Sequence, residues 1–366
     1  GGGQPELEQR TNSPSLVDLE AVRRQSAAAW EAVAALKAAT SPQQAAVPAA
    51  SLSTRRVPRF ELDDPAGLQY LSDQGYVVLR SALSDSEVSR AHDLLWQFLP
   101  CATQWQRGKM ETWDRKSFRM CGLPHWGIIK ARGAGQSELV WYIRTRRSVR
   151  DAFGKIWGTH NLISSFDGFN VFLPWHFGFK KTETGWLHTD QGHAKRGLNT
   201  IQGFVALTDQ DASTGGLHVI PGSHHLHEDW VTEKHPGSPH DFCMIDRREG
   251  FGGELLQLPQ QLVTCKAGDL VLWDSRCVHC NTPAVEQPTT PEGELLRVAV
   301  YVCMLPKSLA STADLRRRKQ AYDEGVSSNH WPLFSQDDFE MFRGNADGFQ
   351  VPTLSKTSDG RRDLIC

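Results

Sequence analysis

The stretch Trp186-Leu187-His188-Thr189-Asp190 places an imidazole and a carboxylate two residues apart. In a β-strand, residues two apart face the same side, so His188 and Asp190 are expected to point together. Two histidines and one carboxylate on one face of a metal, with coordination positions left for other ligands, are typical of non-haem Fe(II) oxygenases. The pair therefore indicates a metal site, provided that a second histidine reaches it from a distant strand.

An H-x-D pair alone is a weak signal, because several other histidines compete for the role of third ligand. They are His193, His218, His224, His225, His227 and His279. The run Cys277-Val278-His279-Cys280 also raises the alternative of a zinc site. Structural zinc needs four ligands, usually as two separated pairs, and no second cysteine pair is present. The choice therefore depends on the elements that carry these residues.

The segment from about residue 160 to 306 consists of short β-like runs, each ended by Gly, Pro, Asn or Asp. Runs at this spacing favour an antiparallel sandwich or barrel. Helix-forming stretches precede and follow it. One of them starts with a capping signature, in which Ser84 is the N-cap and Glu87 lies three residues on. The fold class predicted is mainly β with flanking helices.

The composition changes near residue 58 and divides the chain into two parts. Residues 1–58 are rich in Ala, Ser, Gln and Pro and read as an N-terminal extension, partly helical or flexible. Residues 59–366 read as a single domain with its β-core at about 160–306 and a C-terminal helical region at 307–366. The irregular segment 101–135 is a candidate lid, because loops of that length are often functional.

Bulk properties exclude some classes of function. Of the 366 residues, 39% are hydrophobic and 22% charged, and the formal net charge is −2, so no global field favours nucleic acid or an anionic membrane. No apolar run is long enough to span a bilayer. The eight scattered cysteines favour reduced thiols and an intracellular, cytoplasmic location. The initial Gly-Gly-Gly-Gln reads as an added or truncated end, so an organelle is compatible if a targeting segment was removed.

The order of motifs after His188 closely resembles the phytanoyl-CoA dioxygenase family of Fe(II)/2-oxoglutarate oxygenases. The motifs are TIQGFVALTDQDASTGGLHVIPGSH, AGDLVLWDSRCVHCNTP and LRVAVYVCMLP, and the resemblance covers roughly residues 66–306. It implies a double-stranded β-helix, that is, a cupin-like jelly-roll. It also implies that His188, Asp190 and His279 bind Fe(II) and act as the catalytic residues. His279 fits the family pattern because the Gly268-Asp269 turn is followed by an apolar strand and then by the strand that carries His279.

A 2-oxo dicarboxylate also needs a fixed cation for its distal carboxylate, and Arg suits this role because its planar fork matches a carboxylate. Arg297, at the head of the last strand, is the candidate. It lies 18 residues after His279 (297 − 279), further than is usual in the family, across a polar Pro-rich loop. Asn281 matches a family position that helps hold the co-substrate. Asn170 and Gln202 are further polar candidates on neighbouring strands.

Residues flanking the ligands are candidates for the substrate site. They are Trp175, Phe177, Trp186, Gln191 and Arg276. The two tryptophans would suit an apolar or ring-bearing substrate, or they are core residues. Arg276 would meet an anionic substrate, or it pairs with Asp274. Two Arg-rich pieces, at 144–150 and 316–319, admit a nucleic-acid surface, although solvated helix faces are favoured.

The resemblance implies an enzyme that couples oxidative decarboxylation of 2-oxoglutarate by O2 to oxidation of a substrate. Succinate and CO2 are released, ascorbate is an optional reductant, and hydroxylation of a small organic molecule is the expected outcome. Desaturation or ring closure would use the same residues. An oxygenase of nucleic acid or protein, and a catalytically silent jelly-roll binding module, are the alternatives. The sequence leaves the oligomeric state open.

Overall fold

A computed structural model describes residues 51–238, 240–245, 251–344 and 361–365 of the chain. The helix-forming stretch within residues 1–50 lies outside these ranges. The helices are α1 (Pro65–Gln74), α2 (Asp85–Thr103), α3 (Arg115–Cys121), α4 (Glu138–Arg144), α5 (Arg147–Trp157), α6 (His227–Lys234), α7 (Phe251–Leu255), α8 (Thr312–Asp323), α9 (Gln336–Gly344) and α10 (Arg361–Ile365). The strands are β1 (Leu52–Ser53), β2 (Tyr76–Leu79), β3 (Gly122–Leu123), β4 (Ile128–Ile129), β5 (Leu162–Ser164), β6 (Phe169–Phe172), β7 (His188–Thr189), β8 (Ile201–Ala206), β9 (Gly215–Val219), β10 (Cys243–Met244), β11 (Gln260–Val263), β12 (Leu270–Asp274), β13 (His279–Pro283) and β14 (Arg297–Pro306).

The strands form two sheets. The major sheet has the order β2-β12-β8-β14-β6-β4-β3, with β5 also paired to β14. The minor sheet has the order β1-β11-β9-β13-β7-β10. Nearly every pairing is antiparallel, and the chain alternates between the sheets from β6 to β9 and again from β11 to β14. Together with the flanking helices, this arrangement confirms the predicted jelly-roll fold class.

The strands β2, β12, β8 and β6 of the major sheet are buried along their whole length, so their sequences are mostly apolar. On β12, Leu270 and Leu272 belong to a core shared with the helices, whereas Val271 and Trp273 belong to the core between the two sheets. The same alternation puts Val205 of β8 on the helix side and Phe204 on the sheet side. The helical layer therefore covers the major sheet and leaves its inner face to the site.

Local signals set the ends of the first two helices. Asp64 caps α1 through the amide of Ala66, and Gly75 ends it with a φ of 77°. Glycine is favoured in this left-handed conformation, because it has no Cβ. The predicted capping box of α2 is confirmed, because Ser84 and Glu87 exchange side-chain and backbone hydrogen bonds. The helix continues through Pro100 to Thr103.

The described β-structure extends beyond the core expected at 160–306. β1, in the segment assigned to the N-terminal extension, pairs in parallel with β11. β2 joins the major sheet beside β12. The candidate lid at 101–135 contains α3 and the hairpin β3–β4, which joins the major sheet through β6. This segment is therefore anchored to the sheet.

No helix among the described residues has the length and apolarity to cross a bilayer. The seven cysteines in the described ranges are free thiols, and all but Cys101 are buried.

Candidate active site

The minor sheet brings together His188, Asp190 and His279, called the triad below. β7 and β13 are neighbouring antiparallel strands, and His279 lies directly opposite His188. Asp190 follows β7, where its backbone amide donates to Ser275 O at 2.9 Å. One ligand atom from each triad residue lies within 4.8 Å of the other two, and all three side chains are buried. Asp190 Oδ1 is 3.5 Å from His188 Nε2, and Oδ2 is 3.2 Å from His279 Nε2.

Backbone carbonyls fix the orientation of both imidazoles. His188 Nδ1 is 3.0 Å from Trp186 O, and His279 Nδ1 is 2.9 Å from Cys277 O. Because a carbonyl only accepts hydrogen bonds, each Nδ1 carries a proton, which leaves each Nε2, facing Asp190, as the nitrogen that would bind a metal. The carboxylate is held in turn by Gln202, whose Nε2 donates to Asp190 Oδ2 at 2.9 Å. Such outer contacts orient metal ligands and tune their affinity.

The electrostatics of the triad suit a cation. Burial would raise the pKa of Asp190, but the imidazoles of His330 and His188 hold that pKa well below its ordinary value. Burial, together with His188, lowers the pKa of His279, which favours its neutral, metal-binding form. An ionised carboxylate beside the Nε2 atoms of two imidazoles is the donor set of a divalent metal site.

The competing histidines lie elsewhere. His218 packs against Cys280, with 3.8 Å between Nδ1 and Sγ, and His224 contacts Ser72 O through its Nε2 at 2.9 Å. The other competitors, which also lie outside the triad, are His193, His225 and His227. In the described part of the chain, the triad is the single group of three His, Cys, Asp or Glu residues with metal-binding spacing.

A buried arginine cluster lies on the adjoining strands and consists of Arg297, Asn170, Gln210 and Asn281. Arg297 is fully buried. Its Nε donates to Gln210 Oε1 at 2.9 Å, and one terminal nitrogen donates to Asn170 Oδ1 at 2.6 Å and to Asn281 Oδ1 at 3.2 Å. The other terminal nitrogen is buried without a hydrogen-bond partner. The guanidinium therefore retains a free donor.

No Asp or Glu in the described ranges forms an ion pair with Arg297 within 4.0 Å. Its near neighbours are neutral amides and the rings of Phe172 and Phe204, which lie 4.9 and 5.3 Å from the guanidinium carbon. Burial lowers the pKa of Arg297 to about 10, so the group stays charged at neutral pH. A buried cation without a counter-ion is costly, and an anionic ligand would offset that cost.

The other candidates from the sequence lie in different surroundings. Trp186 stacks on His188, with ring centroids 4.9 Å apart. Trp175 packs beside Phe172, on the side of the arginine cluster. The amide of Gln191 is used within the fold, because it donates to Gly197 O at 2.8 Å and accepts from Ser275 Oγ at 3.0 Å.

Two further candidates also have defined positions. Arg276 forms a two-pronged pair with Asp274, with nitrogen–oxygen distances of 3.0 and 2.7 Å. Phe177 is 41% exposed in the short turn after Trp175. Gln202, expected beside the co-substrate, donates to Asp190 Oδ2 from its Nε2.

Some residues near the site were missed from the sequence. Tyr301 contacts Asn281 and Asn170, and it lies four residues after Arg297 on β14, so strand alternation offered a signal for it. His330 lies 3.9 Å from Asp190 Oδ2, measured at Nδ1. Trp126 and Phe242 form an aromatic group with Trp186. No local pattern links these three distant residues to the triad.

The residues present fit both groups that the sequence implied. The triad offers two imidazole nitrogens and a carboxylate, which suit Fe(II). The arginine cluster offers a cation with a free donor, which suits the carboxylate of 2-oxoglutarate. Asn281 follows His279 by two residues on β13, which places the two on one face about 7 Å apart. That spacing suits a short dicarboxylate held between a metal and an arginine.

Comparisons with known proteins agree with this geometry. The family model described as phytanoyl-CoA dioxygenase matches residues 71–283, more than half of the chain. The Ava biosynthesis cluster protein O of Aspergillus versicolor is 29% identical over 215 residues, which is 55% of this chain and 65% of that protein. The chain thus matches less than two thirds of the length of that relative.

Solved structures with a similar fold include a hypothetical protein, JW0805, from Escherichia coli. It is 16% identical with a TM-score of 0.53, over 96% of this chain and 93% of that one. The non-haem α-ketoglutarate-dependent carbocyclase SnoK from nogalamycin biosynthesis is 19% identical with a TM-score of 0.43, over 68% and 87% of the chains. From the match of the family model, this chain belongs to the phytanoyl-CoA dioxygenase family, whose enzymes use Fe(II), 2-oxoglutarate and O2.

Proposed function

We propose that the protein hydroxylates a small organic substrate, with Fe(II) on the triad and 2-oxoglutarate between that metal and Arg297. The observation that carries the proposal is the presence of two buried charges of opposite sign, Asp190 and Arg297, neither of which has a charged partner of the usual kind. Asp190 has no Lys or Arg partner within 4.0 Å among the described residues, and Arg297 has no acidic one. A divalent metal chelated by a dicarboxylate would match both.

When bound, the metal would activate O2 for oxidative decarboxylation of 2-oxoglutarate and for oxidation of a C–H bond. The balance is one 2-oxoglutarate, one O2 and one substrate C–H, giving succinate, CO2 and an alcohol. The chain's own residues hold and orient the reactants. Gln202 orients Asp190, Trp186 O and Cys277 O fix the imidazoles, and the arginine cluster binds the distal carboxylate.

Two observations favour a small molecule as substrate. A relative that is 29% identical is named as a biosynthesis cluster protein, which suggests work on a metabolite. The side chains closest to His188 include the rings of Trp186 and Phe242, at centroid distances of 4.9 and 4.5 Å. Aromatic rings at a site favour an apolar or ring-bearing molecule.

The Arg-rich pieces give little support to a nucleic-acid substrate. Arg144 is fully buried and donates to the carbonyls of Gly135 and Asp167. Arg318 is 1% exposed and donates to carbonyls of the C-terminal segment, among them Leu364 O. Both side chains hold the fold together, so neither piece presents a fully solvated basic face.

The test is succinate release from 2-oxoglutarate by the protein loaded with Fe(II), in the presence of a panel of apolar metabolite-like compounds. We expect release that depends on both Fe(II) and 2-oxoglutarate, stimulated by compounds that gain one oxygen atom by mass spectrometry. Absence of Fe(II) binding would refute the proposal. Stimulation by an oligonucleotide, with a steep dependence on salt, would favour a nucleic-acid substrate instead.

A further inference from the structure

His330 lies beside the triad, although it belongs to the segment between α8 and α9. Its Nδ1 is 3.9 Å from Asp190 Oδ2, and its side chain is 17% exposed. It is not part of the group whose ligand atoms lie within 4.8 Å of one another. His330 is therefore a neighbour of the metal site and not one of its ligands.

The segment that carries His330 is firmly attached to the core. Ser328 and Phe166 exchange two hydrogen bonds, from Ser328 N to Phe166 O at 2.8 Å and from Phe166 N to Ser328 Oγ at 3.1 Å. Val326 O accepts from Gln136 Nε2 at 2.9 Å. These contacts hold the segment in place without any contribution from the triad, so the position of His330 is set by the fold.

One nitrogen of His330 has no protein partner. Its Nε2 is buried without a hydrogen bond, as is Nε1 of the adjacent Trp331. An unsatisfied buried polar group costs about 1–3 kcal/mol, which a ligand can recover. Other buried nitrogens, such as Trp230 Nε1, also lack a partner, but His330 lies next to the triad. A hydroxyl group would satisfy Nε2 in either tautomer, since it both donates and accepts.

The His188 side of the triad is aromatic. The ring of Phe242 is 4.5 Å from that of His188, and the Phe242 side chain is 44% exposed. Trp186 stacks on His188, and Trp126 stacks on Trp186 with centroids 4.3 Å apart. A ligand near the triad therefore meets an accessible aromatic ring beside His188 and, next to Asp190, a histidine whose Nε2 is unsatisfied.

We propose that His330 contacts the substrate, and that its Nε2 hydrogen-bonds a hydroxyl group on a flat apolar molecule that lies against Phe242. This rests on the proposed function, and it adds the class of substrate: a ring-bearing compound that already carries a hydroxyl group.

The test uses two probes that differ in that hydroxyl group, 2-naphthol and 2-methylnaphthalene. Each is titrated calorimetrically under nitrogen into the full chain loaded with Fe(II) and 2-oxoglutarate. For a net hydrogen bond of ordinary strength we expect the wild type to bind 2-naphthol about five-fold more tightly. His330→Phe should lose this preference, and His330→Gln, which keeps a polar group, should retain part of it. His160→Phe, at an exposed histidine, should keep it in full.

The affinities for Fe(II) and for 2-oxoglutarate are measured on the same samples. They should be unchanged in His330→Phe, and their absence in the wild type would count against the proposed function instead. The inference about His330 is overturned if the wild type binds 2-naphthol no better than 2-methylnaphthalene, or not at all. It is also overturned if His330→Phe keeps the five-fold preference. If His330→Phe does not fold, the wild type and His330→Gln still decide the question.

Discussion

The triad and the arginine cluster are both buried, and they carry opposite unmatched charges. In the triad, the carboxylate of Asp190 faces the Nε2 atoms of two imidazoles, at 3.5 and 3.2 Å. In the arginine cluster, a fully buried guanidinium is surrounded by amides and rings. The triad therefore favours a cation, and the arginine cluster favours an anion.

This difference explains how Fe(II) and 2-oxoglutarate together suit the triad and the arginine cluster. Asp190 and Arg297 sum to zero charge, and so do Fe(II) and doubly ionised 2-oxoglutarate. Binding of Fe(II) and 2-oxoglutarate leaves the total charge of the site unchanged but puts opposite charges next to each other. The low dielectric of the interior strengthens their attraction. We infer that each place contributes to binding separately, which predicts that mutations at the two places have separable effects.

The largest effect is expected from His188→Ala. Losing one of three protein ligands should remove several kcal/mol of metal binding and transition-state stabilisation, so succinate release should fall at least about a thousand-fold. The measurement is turnover together with metal content after anaerobic loading with Fe(II). His218→Ala, at another buried strand histidine, is the matched control and should retain Fe(II). Normal turnover by His188→Ala would remove His188 from the site.

Arg297→Met should act on the co-substrate and spare the metal. Losing the charge partner of a buried carboxylate costs about 2–5 kcal/mol, so the KM for 2-oxoglutarate should rise about a hundred-fold. The affinity for Fe(II) should change little. Arg276→Met removes another buried guanidinium, one that is already paired with Asp274, and should leave this KM unchanged. An unchanged KM in Arg297→Met would contradict the assignment.

Two glutamines on and after β8 allow a more exact separation. Gln202 donates to Asp190, whereas Gln210 accepts from Arg297. Gln202→Leu should weaken Fe(II) affinity about 10- to 100-fold, as expected for loss of an outer contact to a metal ligand, without raising the KM for 2-oxoglutarate. Gln210→Leu should raise the KM for 2-oxoglutarate without weakening the affinity for Fe(II). If both variants shift both quantities equally, the two places do not act separately.

Two members of the triad were predictable from a local signal. His188 and Asp190 are two residues apart, and strand alternation alone puts them on one face. His279 and Arg297 required the order of the strands, which the resemblance to a family supplied. The long loop between them does not displace Arg297, because β14 remains paired with β6 and β8.

The surroundings of the triad were less predictable, because tertiary packing decides them. His330 is 51 residues beyond His279 (330 − 279) and outside the predicted β-core. Trp126 lies in the turn of the hairpin β3–β4, in a segment that was expected to be irregular. Gln202 was expected beside the co-substrate, since a polar residue on an apolar strand reveals a site without revealing which part of it the side chain faces.

The smallest expected effects are the increases in thermal stability when Fe(II) binds the triad or 2-oxoglutarate binds the arginine cluster. Ligand at a hundred times its Kd stabilises a folded protein by about 2.7 kcal/mol, which corresponds to a rise in Tm of several degrees. Fe(II) under nitrogen should give this shift in the wild type and in Arg297→Met, but not in His188→Ala. 2-Oxoglutarate added without metal should give a smaller shift in His188→Ala and none in Arg297→Met. An equal shift by 2-oxoglutarate in both variants would mean that the arginine cluster does not bind the co-substrate, and the division of charge between the two places would lose its functional meaning.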